Sequence, residues 1–288
     1  MPPTEPGAVT TERVVVVMGG GGAKAAAHAG AHRALEELGI VPVHYIGTSM
    51  GAVLGALFAS GLDAPAVLSR MMGIGEKEAV APDPLAIVKG LWLKSVLKPG
   101  PLRATLGRLV TARRFSELRI PLTVTATALD NGELVLFGAG GRDAPLLDVL
   151  YATCALPVFY PAGVIEGRHY ADGGLRSVLP VTLAAALDAD LVVAIDVGPG
   201  FDEAPASAAS ALPPIVQAHS DSSGILMASN TALELALWHL TPGRPPLVHV
   251  RPRVERGSTF RVDQVRRYAE EGYTATKQSL AALIPGAG

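Results

Sequence analysis

The stretch that decides the fold is VVVVMGGGGAKAAAHAGAHRALEELG, residues 14–39. Four valines lead into four consecutive glycines, Gly19 to Gly22, and a helix-like run follows at once. A continuous β-branched run is typical of a strand buried on both faces of a parallel sheet. Glycine costs backbone entropy, so four in a row indicate positive φ angles or a group that approaches the backbone closely. The stretch predicts a buried strand, a glycine loop and the N-terminus of a helix.

Outward from this stretch, strand-like and helix-like runs alternate. Strands are predicted at 43–47, 191–197 and 247–254, and helices at 23–38, 49–61, 145–156 and 263–283. Hairpins are predicted around Asn131-Gly132, a common hairpin turn pair, and within GVIEGRHYADGGL, residues 163–175. The Pro-, Ala- and Ser-rich residues 199–222 predict a surface loop. This order predicts an α/β fold in a single domain, residues 13–285, after a disordered tail, residues 1–12.

Composition restricts the class of protein. The 288 residues are 49% hydrophobic, which is enough for a sizeable core, and the net charge of −2 gives no reason to expect nucleic acid. The single cysteine, Cys154, excludes an internal disulfide and is expected to be a buried core thiol. The first residues lack an apolar signal region, and no apolar run of about 18 residues occurs. We expect a cytoplasmic protein.

The strand, glycine run and helix N-terminus together predict an anion site, because backbone N–H groups there are bare and aligned with the helix dipole. A dinucleotide site would also need a carboxylate at the end of the second strand, which instead ends in Gly47-Thr48-Ser49. A phosphate-binding P-loop would need Ser or Thr after Lys24, and Ala25 stands there. Both phosphate interpretations are therefore weakened.

The second strand supplies a third interpretation of the glycines. IGTSMG, residues 46–51, contains G-x-S-x-G, a nucleophile elbow in which a serine lies on a sharp strand-to-helix turn. Alone, this pattern also fits an ordinary Gly-Ser turn that closes a βα unit. Parallel neighbouring strands end at the same edge of a sheet, so we expect Ser49 beside the amides of Gly20 to Gly22. That arrangement predicts acyl transfer with an oxyanion hole.

The serine needs a proton acceptor. Ser49 follows only two strands, which is too early for an ordinary α/β-hydrolase with its later Asp and His. Asp172, in Tyr170-Ala171-Asp172-Gly173-Gly174, is a candidate base, because the glycines behind it allow close approach. An Asp-Gly turn without catalytic function is the other interpretation of this segment.

Taken together, these motifs resemble the bacterial branch of the patatin-like phospholipase family. The resemblance rests on GGGGAKAAAHAGAHRALEELGI, IGTSMGAVLGALFASG and YADGGL in that order, and covers roughly residues 14 to 198. It departs from the family at Lys24-Ala25, where Arg-Gly is usual. A lysine keeps the charge but loses the bidentate fork of arginine.

The resemblance implies a three-layer α/β/α sandwich with a mostly parallel sheet. It implies a Ser–Asp dyad, with Ser49 as nucleophile, Asp172 as base and Gly20, Gly21 and Gly22 as the oxyanion hole. The implied substrates are acyl esters of phospholipids, lysophospholipids or related lipids, and no metal or organic cofactor is needed. A catalytically idle lipid- or protein-binding module on the same fold is the alternative hypothesis.

Two further features of the sequence each allow a functional and a non-functional interpretation. His28 and His32 have the i, i+4 spacing of a zinc pair, but no third ligand is evident, so packing or surface placement is expected. The interval 89–119, within a variable region at 62–118, is rich in cations that alternate with apolar residues. These are Lys89, Lys94, Lys98, Arg103, Arg108, Arg113, Arg114 and Arg119, against Glu117. It predicts either a solvated helical segment or a surface that makes transient contact with anionic membranes.

Overall fold

The computed structural model describes residues 12–74, 95–200, 214–255 and 262–281. Its strands are β1 (Val14–Met18), β2 (Pro42–Thr48), β3 (Leu122–Ala128), β4 (Leu134–Gly138), β5 (Gly163–Ile165), β6 (Arg168–Asp172), β7 (Leu191–Ile195) and β8 (Leu247–Val250). Its α-helices are α1 (Ala26–Glu37), α2 (Met50–Ala59), α3 (Ala64–Met72), α4 (Pro99–Leu109), α5 (Leu146–Thr153), α6 (Pro214–Leu240) and α7 (Val265–Ala281). The predicted tail lies almost wholly outside the described residues.

All eight strands form one sheet. β1 pairs in parallel with β2 on one side and with β7 on the other, and β8 and β3 extend the parallel part outward. β4 and β6 both pair antiparallel with β3, and β5 pairs antiparallel with β6. The predicted mostly parallel sheet and both predicted hairpins are confirmed.

The sheet is covered on both faces, because successive side chains of a strand point to opposite sides. Val14, Val16 and Met18 of β1 belong to a core that includes residues of α1, α2, α3, α4, α5 and α7. Val15 and Val17 pack on the other face, with the short 3-10 helix Val181–Ala186 and with Trp238 of α6. The three-layer α/β/α architecture is therefore confirmed.

Two glycines let α1 and α7 cross in backbone contact. A Cβ on Gly30 would lie 1.6 Å from the carbonyl oxygen of Ala269, and one on Gly272 would lie 1.9 Å from that of Ala27. Any larger residue at either position would force the helices apart. This contact fixes α1, whose N-terminal end follows the glycine loop.

One predicted segment differs from the structure. The surface loop predicted at 199–222 is wrong from Pro214 onward, since α6 begins there and continues for 27 residues. Residues 201–213 lie outside the described residues. The variable region at 62–118 contains α3 and α4, each with Pro in its first turn, where the missing N–H costs nothing. Residues 75–94 of that region also lie outside the described part.

Candidate active site

Two strands meet end to end beside β3, and this junction builds the site. Thr125 of β3 pairs with Thr48 at the end of β2, and the next residue, Ala126, pairs with Asp172 at the end of β6. β4 pairs with Thr125 and Ala126 along the opposite edge of β3, so β2 and β6 must share the remaining edge. The C-terminal ends of β2 and β6 therefore converge. The residue that directly follows β2 is Ser49.

Ser49 occupies a strained turn between β2 and α2. Its φ of 54° and ψ of −133° are unusual for a residue other than glycine. Gly47 and Gly51 make the sharp turn sterically possible. A Cβ on Gly47 would lie 2.4 Å from Cα of Ala52, and one on Gly51 would lie 2.2 Å from the carbonyl oxygen of Met18. The N–H of Ser49 donates to Thr153 Oγ1 at 2.8 Å, which ties the turn to the end of α5.

The structure brings Ser49 and Asp172 into direct hydrogen-bond contact. Ser49 Oγ donates to Asp172 Oδ2 at 2.7 Å, and the N–H of Gly174 donates to Asp172 Oδ1 at 2.8 Å. Burial raises the pKa of Asp172 to about 6, although these two hydrogen bonds favour the ionised form. A carboxylate with that pKa is a stronger base than an ordinary aspartate and is still ionised at neutral pH.

The glycine loop touches the serine. A Cβ on Gly20 would lie 3.1 Å from Cβ of Ser49, so a side chain at this position would press on the elbow. The N–H of Gly20 donates to the carbonyl oxygen of Val178 at 3.1 Å. This N–H is therefore not available to an oxyanion, although the sequence predicts Gly20 as one of the donors. Among the described residues no acceptor is found for the N–H groups of Gly21 and Gly22, and Gly22 has a φ of 59°. Within that part of the chain, the N–H groups of Gly21 and Gly22 are therefore not engaged by another acceptor.

Buried polar groups hold the glycine loop from α1. His28 is fully buried, and its Nε2 lies 2.8 Å from the carbonyl oxygen of Gly19. Burial lowers the pKa of His28 to about 4, so the ring is neutral at pH 7 and Nε2 carries the donated proton. The N–H of Gly19 in turn donates to the carbonyl oxygen of Ile195 at the end of β7. Both sides of the Gly19 peptide group are thereby fixed.

A buried ion pair orders the chain just after β7. Asp196 Oδ1 lies 2.9 Å from Arg251 Nη1 and accepts from the N–H of Gly198 at 3.0 Å, while His249 Nε2 lies 3.2 Å from Oδ2. Burial alone would raise the pKa of Asp196, but the hydrogen bond from His249 and the charge of Arg251 hold it below its usual range. The intervening Val197 packs against the glycine loop, since a Cβ on Gly21 would lie 2.5 Å from its carbonyl oxygen.

A cavity of about 200 Å³ opens beside these groups. Ser49, Asp172 and Gly20 to Gly22 line it together with apolar side chains of α4 and of the segment after α5. The apolar lining includes Met71, Leu102, Leu106, Leu109, Leu156 and Phe159. The opposite wall comes from α6, through residues that include His219, Ser223 and Met227. The cavity therefore joins a nucleophile and base to a surface suited to an acyl chain.

The structure also shows where the predicted histidine pair, the cysteine and the basic interval lie. His28 and His32 are buried rather than ligands, and His32 stacks on Phe58 and contacts Tyr45 Oη at 2.7 Å. Within the described residues, no group of three or more His, Cys, Asp or Glu could hold a metal ion. Cys154 is a buried free thiol, as expected, and burial raises its pKa. In the described part of the basic interval, Arg103 pairs with Asp148.

Sequence reasoning missed two parts of the site. One is Thr153, whose contact with the N–H of Ser49 joins residues far apart in sequence. The other is α6, which was expected to be partly a loop and instead walls the cavity. Its sequence contains a usable signal, since residues 215–240 include one glycine and no proline. Glu234 fastens α6 to the segment after β6, where it accepts hydrogen bonds from Ser177 and Thr182.

The chain is similar to several known proteins. An NTE family protein of Mycobacterium tuberculosis is 31% identical over 202 residues, which are 68% of this chain and 53% of the relative. The mouse (Mus musculus) omega-hydroxyceramide transacylase is 29% identical over 168 residues, 53% of this chain and 25% of the relative. The chain thus spans about half the length of the mycobacterial relative and less of the mouse protein. The crystal structure of VipD from Legionella pneumophila aligns with a TM-score of 0.49 at 15% identity, over 95% of this chain and 67% of VipD.

The family itself is identified by a match to more than half of the chain. The family described as "Patatin-like phospholipase" matches residues 16–185, a range that includes the glycine loop, the serine elbow and Asp172. This chain therefore belongs to the patatin-like phospholipase family.

Proposed function

We propose that this protein is a serine acyl hydrolase that cleaves acyl esters of phospholipids, lysophospholipids or related lipids. The observation that carries the proposal is the 2.7 Å hydrogen bond from Ser49 Oγ to a buried carboxylate whose pKa is raised to about 6. Family membership supports the substrate class, and the apolar cavity supports an acyl chain as the group that is bound.

The proposed reaction uses two steps. Ser49 Oγ attacks the acyl carbonyl carbon while its proton passes to Asp172 Oδ2, and the N–H groups of Gly21 and Gly22 stabilise the oxyanion. The tetrahedral intermediate expels the alcohol, which takes the proton from Asp172. Water then attacks the acyl-enzyme and gives a proton to Asp172, and Asp172 passes this proton to Ser49 Oγ as the fatty acid is released.

A comparison of variants on a soluble p-nitrophenyl ester, in buffer with EDTA, tests the roles of these residues. We expect Ser49→Ala and Asp172→Asn each to lower kcat/KM by about 10³-fold or more, because residues that act as one unit lose activity together. His219→Ala should cost less than about 10-fold, since a histidine acting as the base would contribute about 10² to 10⁴. His219 is the critical control because it lines the same cavity.

Two outcomes would reject parts of this proposal. A folded His219→Ala variant as inactive as Ser49→Ala would replace the dyad with a triad. Failure of a fluorophosphonate probe to label Ser49, with no turnover of esters, phospholipids or lysophospholipids, would favour the idle binding module. Circular dichroism of each variant separates loss of fold from loss of chemistry.

The acyl acceptor is tested in the same assay. Because one relative is named as a transacylase, a long-chain alcohol is added to the assay. This alcohol would compete with water for the acyl-enzyme. Release of free fatty acid alone supports the proposed hydrolase. Predominant formation of a new ester would make the protein an acyltransferase that uses the same Ser49 and Asp172.

A further inference from the structure

The helix α6 is apolar on two opposite sides. Its inner side holds the buried residues Ala228, Thr231 and Trp238. The cavity is lined by other residues of the helix, which include Ser220, Ser223 and Met227. Six large aliphatic residues of the helix are 53% to 81% exposed: Ile225, and an outer stripe of five, namely Ile215, Leu226, Leu233, Leu237 and Leu240. At 3.6 residues per turn these five lie within an arc of about 60°. Helices that are apolar all round are normally buried, so this outer stripe calls for a covering partner.

The stripe has the spacing of a helix–helix contact. Leu226, Leu233 and Leu240 recur every seven residues, and the small residues Ser222, Ser229 and Ala236 each lie four positions before one of them. These two sets correspond to the alternating core positions of a coiled coil. Small residues at every second core position let two helix backbones approach closely.

The pattern is also complementary to itself. Consider an antiparallel pair of α6 helices whose twofold axis passes between Met227 and Ala228. Each large residue in the middle of the pair then faces a small residue, and large residues face each other at the two ends. Leu226 faces Ser229 of the second copy, and Leu233 faces Ser222 of the second copy. Leu240 faces Ile215 of the second copy at both ends. A surface that matches itself about a twofold axis is what an isologous dimer requires.

We propose that the outer stripe of α6 is covered by α6 of a second copy of this chain, so that the protein is an antiparallel homodimer through this helix. The exposed surface of these five aliphatic residues alone is roughly 600 Å² per copy. A standard protein–protein interface buries about 800 Å² per partner, so the two areas are similar. Charged residues are depleted at interface cores, and the stripe has none.

A lipid bilayer fits this surface less well. Residues 214–240 contain no Lys, no Arg and no Phe, whereas helices that lie in membrane interfaces are typically rich in basic residues. Regularly spaced serines add nothing to burial in hydrocarbon. The dimer is independent of the proposed hydrolase, since it is read from mass and not from activity.

Light scattering after size exclusion of the full chain is the first test. We expect twice the chain mass of 29.7 kDa for the parent protein. Leu226→Glu and Leu233→Glu should each weaken dimerisation by about 100-fold, because each change occurs twice in the interface and buries a charge that has no opposite charge facing it. Leu129→Glu is the matched control, since Leu129 is 51% exposed but lies outside α6. It should leave the dimer intact.

Mixing experiments test the register. Leu226→Glu and Ser229→Lys should each weaken the dimer, and a mixture of the two should restore it, because the introduced charges face each other. A mixture of Leu226→Glu with Ser222→Lys should not, since position 222 faces position 233. Circular dichroism confirms that each variant is folded.

Three results would overturn the proposal. The first is a parent protein that is monomeric throughout a wide concentration range. The second is a dimer that Leu226→Glu and Leu233→Glu leave unchanged. The third is a monomeric parent that floats with neutral phosphatidylcholine vesicles and loses this property in both variants, which would assign the stripe to lipid.

Discussion

At the scale of single residues, Asp172 combines burial with ionisation. It is 5% exposed, and its carboxylate accepts hydrogen bonds from Ser49 and Gly174. Two hydrogen bonds do not replace the water that the carboxylate loses, and its pKa therefore rises to about 6. The aspartate is thus a better base than it would be in water, at the expense of folded stability.

The raised pKa of Asp172 makes the stability of the folded protein depend on pH. The pKa is about 6 in the folded protein and about 3.9 in the unfolded chain, so the folded state binds the proton more tightly. The stability that this proton contributes is fully present below about pH 4 and is lost as the pH rises through about 6. At pH 7.5 the loss is up to about 3 kcal/mol. Asp172→Asn should therefore raise the free energy of unfolding at pH 7.5 and change it little at pH 4.

Urea denaturation at the two pH values measures this difference, and a pH–rate profile of the parent enzyme measures the same proton. The kcat/KM value should fall as the pH drops through about 6, because a protonated Asp172 accepts nothing from Ser49. A less stable Asp172→Asn variant at pH 7.5, or a rate that does not change between pH 5 and 7, would contradict the assignment.

At the scale of elements, the glycine loop is held by α1 and by the end of β7. His28 of α1 fixes the carbonyl of Gly19, and Ile195 of β7 accepts from its N–H. The loop after β6 accepts from the N–H of Gly20 through Val178. Three elements thus determine where the peptides of Gly21 and Gly22 lie relative to Ser49.

We predict that His28 positions this loop. His28→Ala should lower kcat on a soluble ester by about 10-fold, since a misplaced oxyanion donor loses part of its about 10² to 10³ effect, while KM stays within about twofold. His28→Gln should recover part of the rate, because its amide nitrogen is able to donate to Gly19.

His44→Ala is the matched control for this prediction. His44 is also a buried histidine, and its Nε2 lies 2.8 Å from Thr123 Oγ1 on the second and third strands. Its loss should lower stability and leave kcat unchanged. Equal losses of kcat in both alanine variants, or no recovery with glutamine, would reduce His28 to a packing residue.

At the scale of the whole molecule, the cavity lies between a basic helix and an apolar one. α4 turns Leu102, Leu106 and Leu109 toward the cavity, while Lys98 and Arg108 are exposed beside it. No helix in the described residues is long and apolar enough to cross a bilayer. Under the proposed function, we expect lipid substrate to reach the cavity through contact of the protein with a membrane surface.

We predict that the exposed cations around α4 promote this contact. Changing Lys98, Arg108 and Arg114 together to Glu should weaken binding to anionic vesicles, by about 1 kcal/mol for each cation lost. Turnover of a soluble ester should be unchanged. The same reversal at Arg253, Arg266 and Lys277, which lie in other parts of the chain than α4 and its flanks, controls for net charge. Equal vesicle binding by the α4 variant and the parent would leave α4 as an ordinary solvated helix.

The sequence alone determined the parts of the site that depend on local chemistry. A β-branched run, four glycines and a G-x-S-x-G turn specify their own backbone conformations, so β1, the glycine loop and the elbow at Ser49 were predictable. The Asn131-Gly132 hairpin was predictable for the same reason, and Gly132 has the expected positive φ of 72°.

Only the tertiary structure decided what depends on distant partners. The meeting of β2 and β6 on one edge of β3 follows from strand pairing, which no local pattern specifies. The bond from Gly20 to Val178, which removes one expected oxyanion donor, joins segments far apart in sequence. The pKa of Asp172 is set by burial, and burial exists only once α6 and the sheet have packed. Local sequence determines backbone conformation where the interactions are between near neighbours in the chain. The pairing of distant segments and the burial of a side chain arise only in the folded protein.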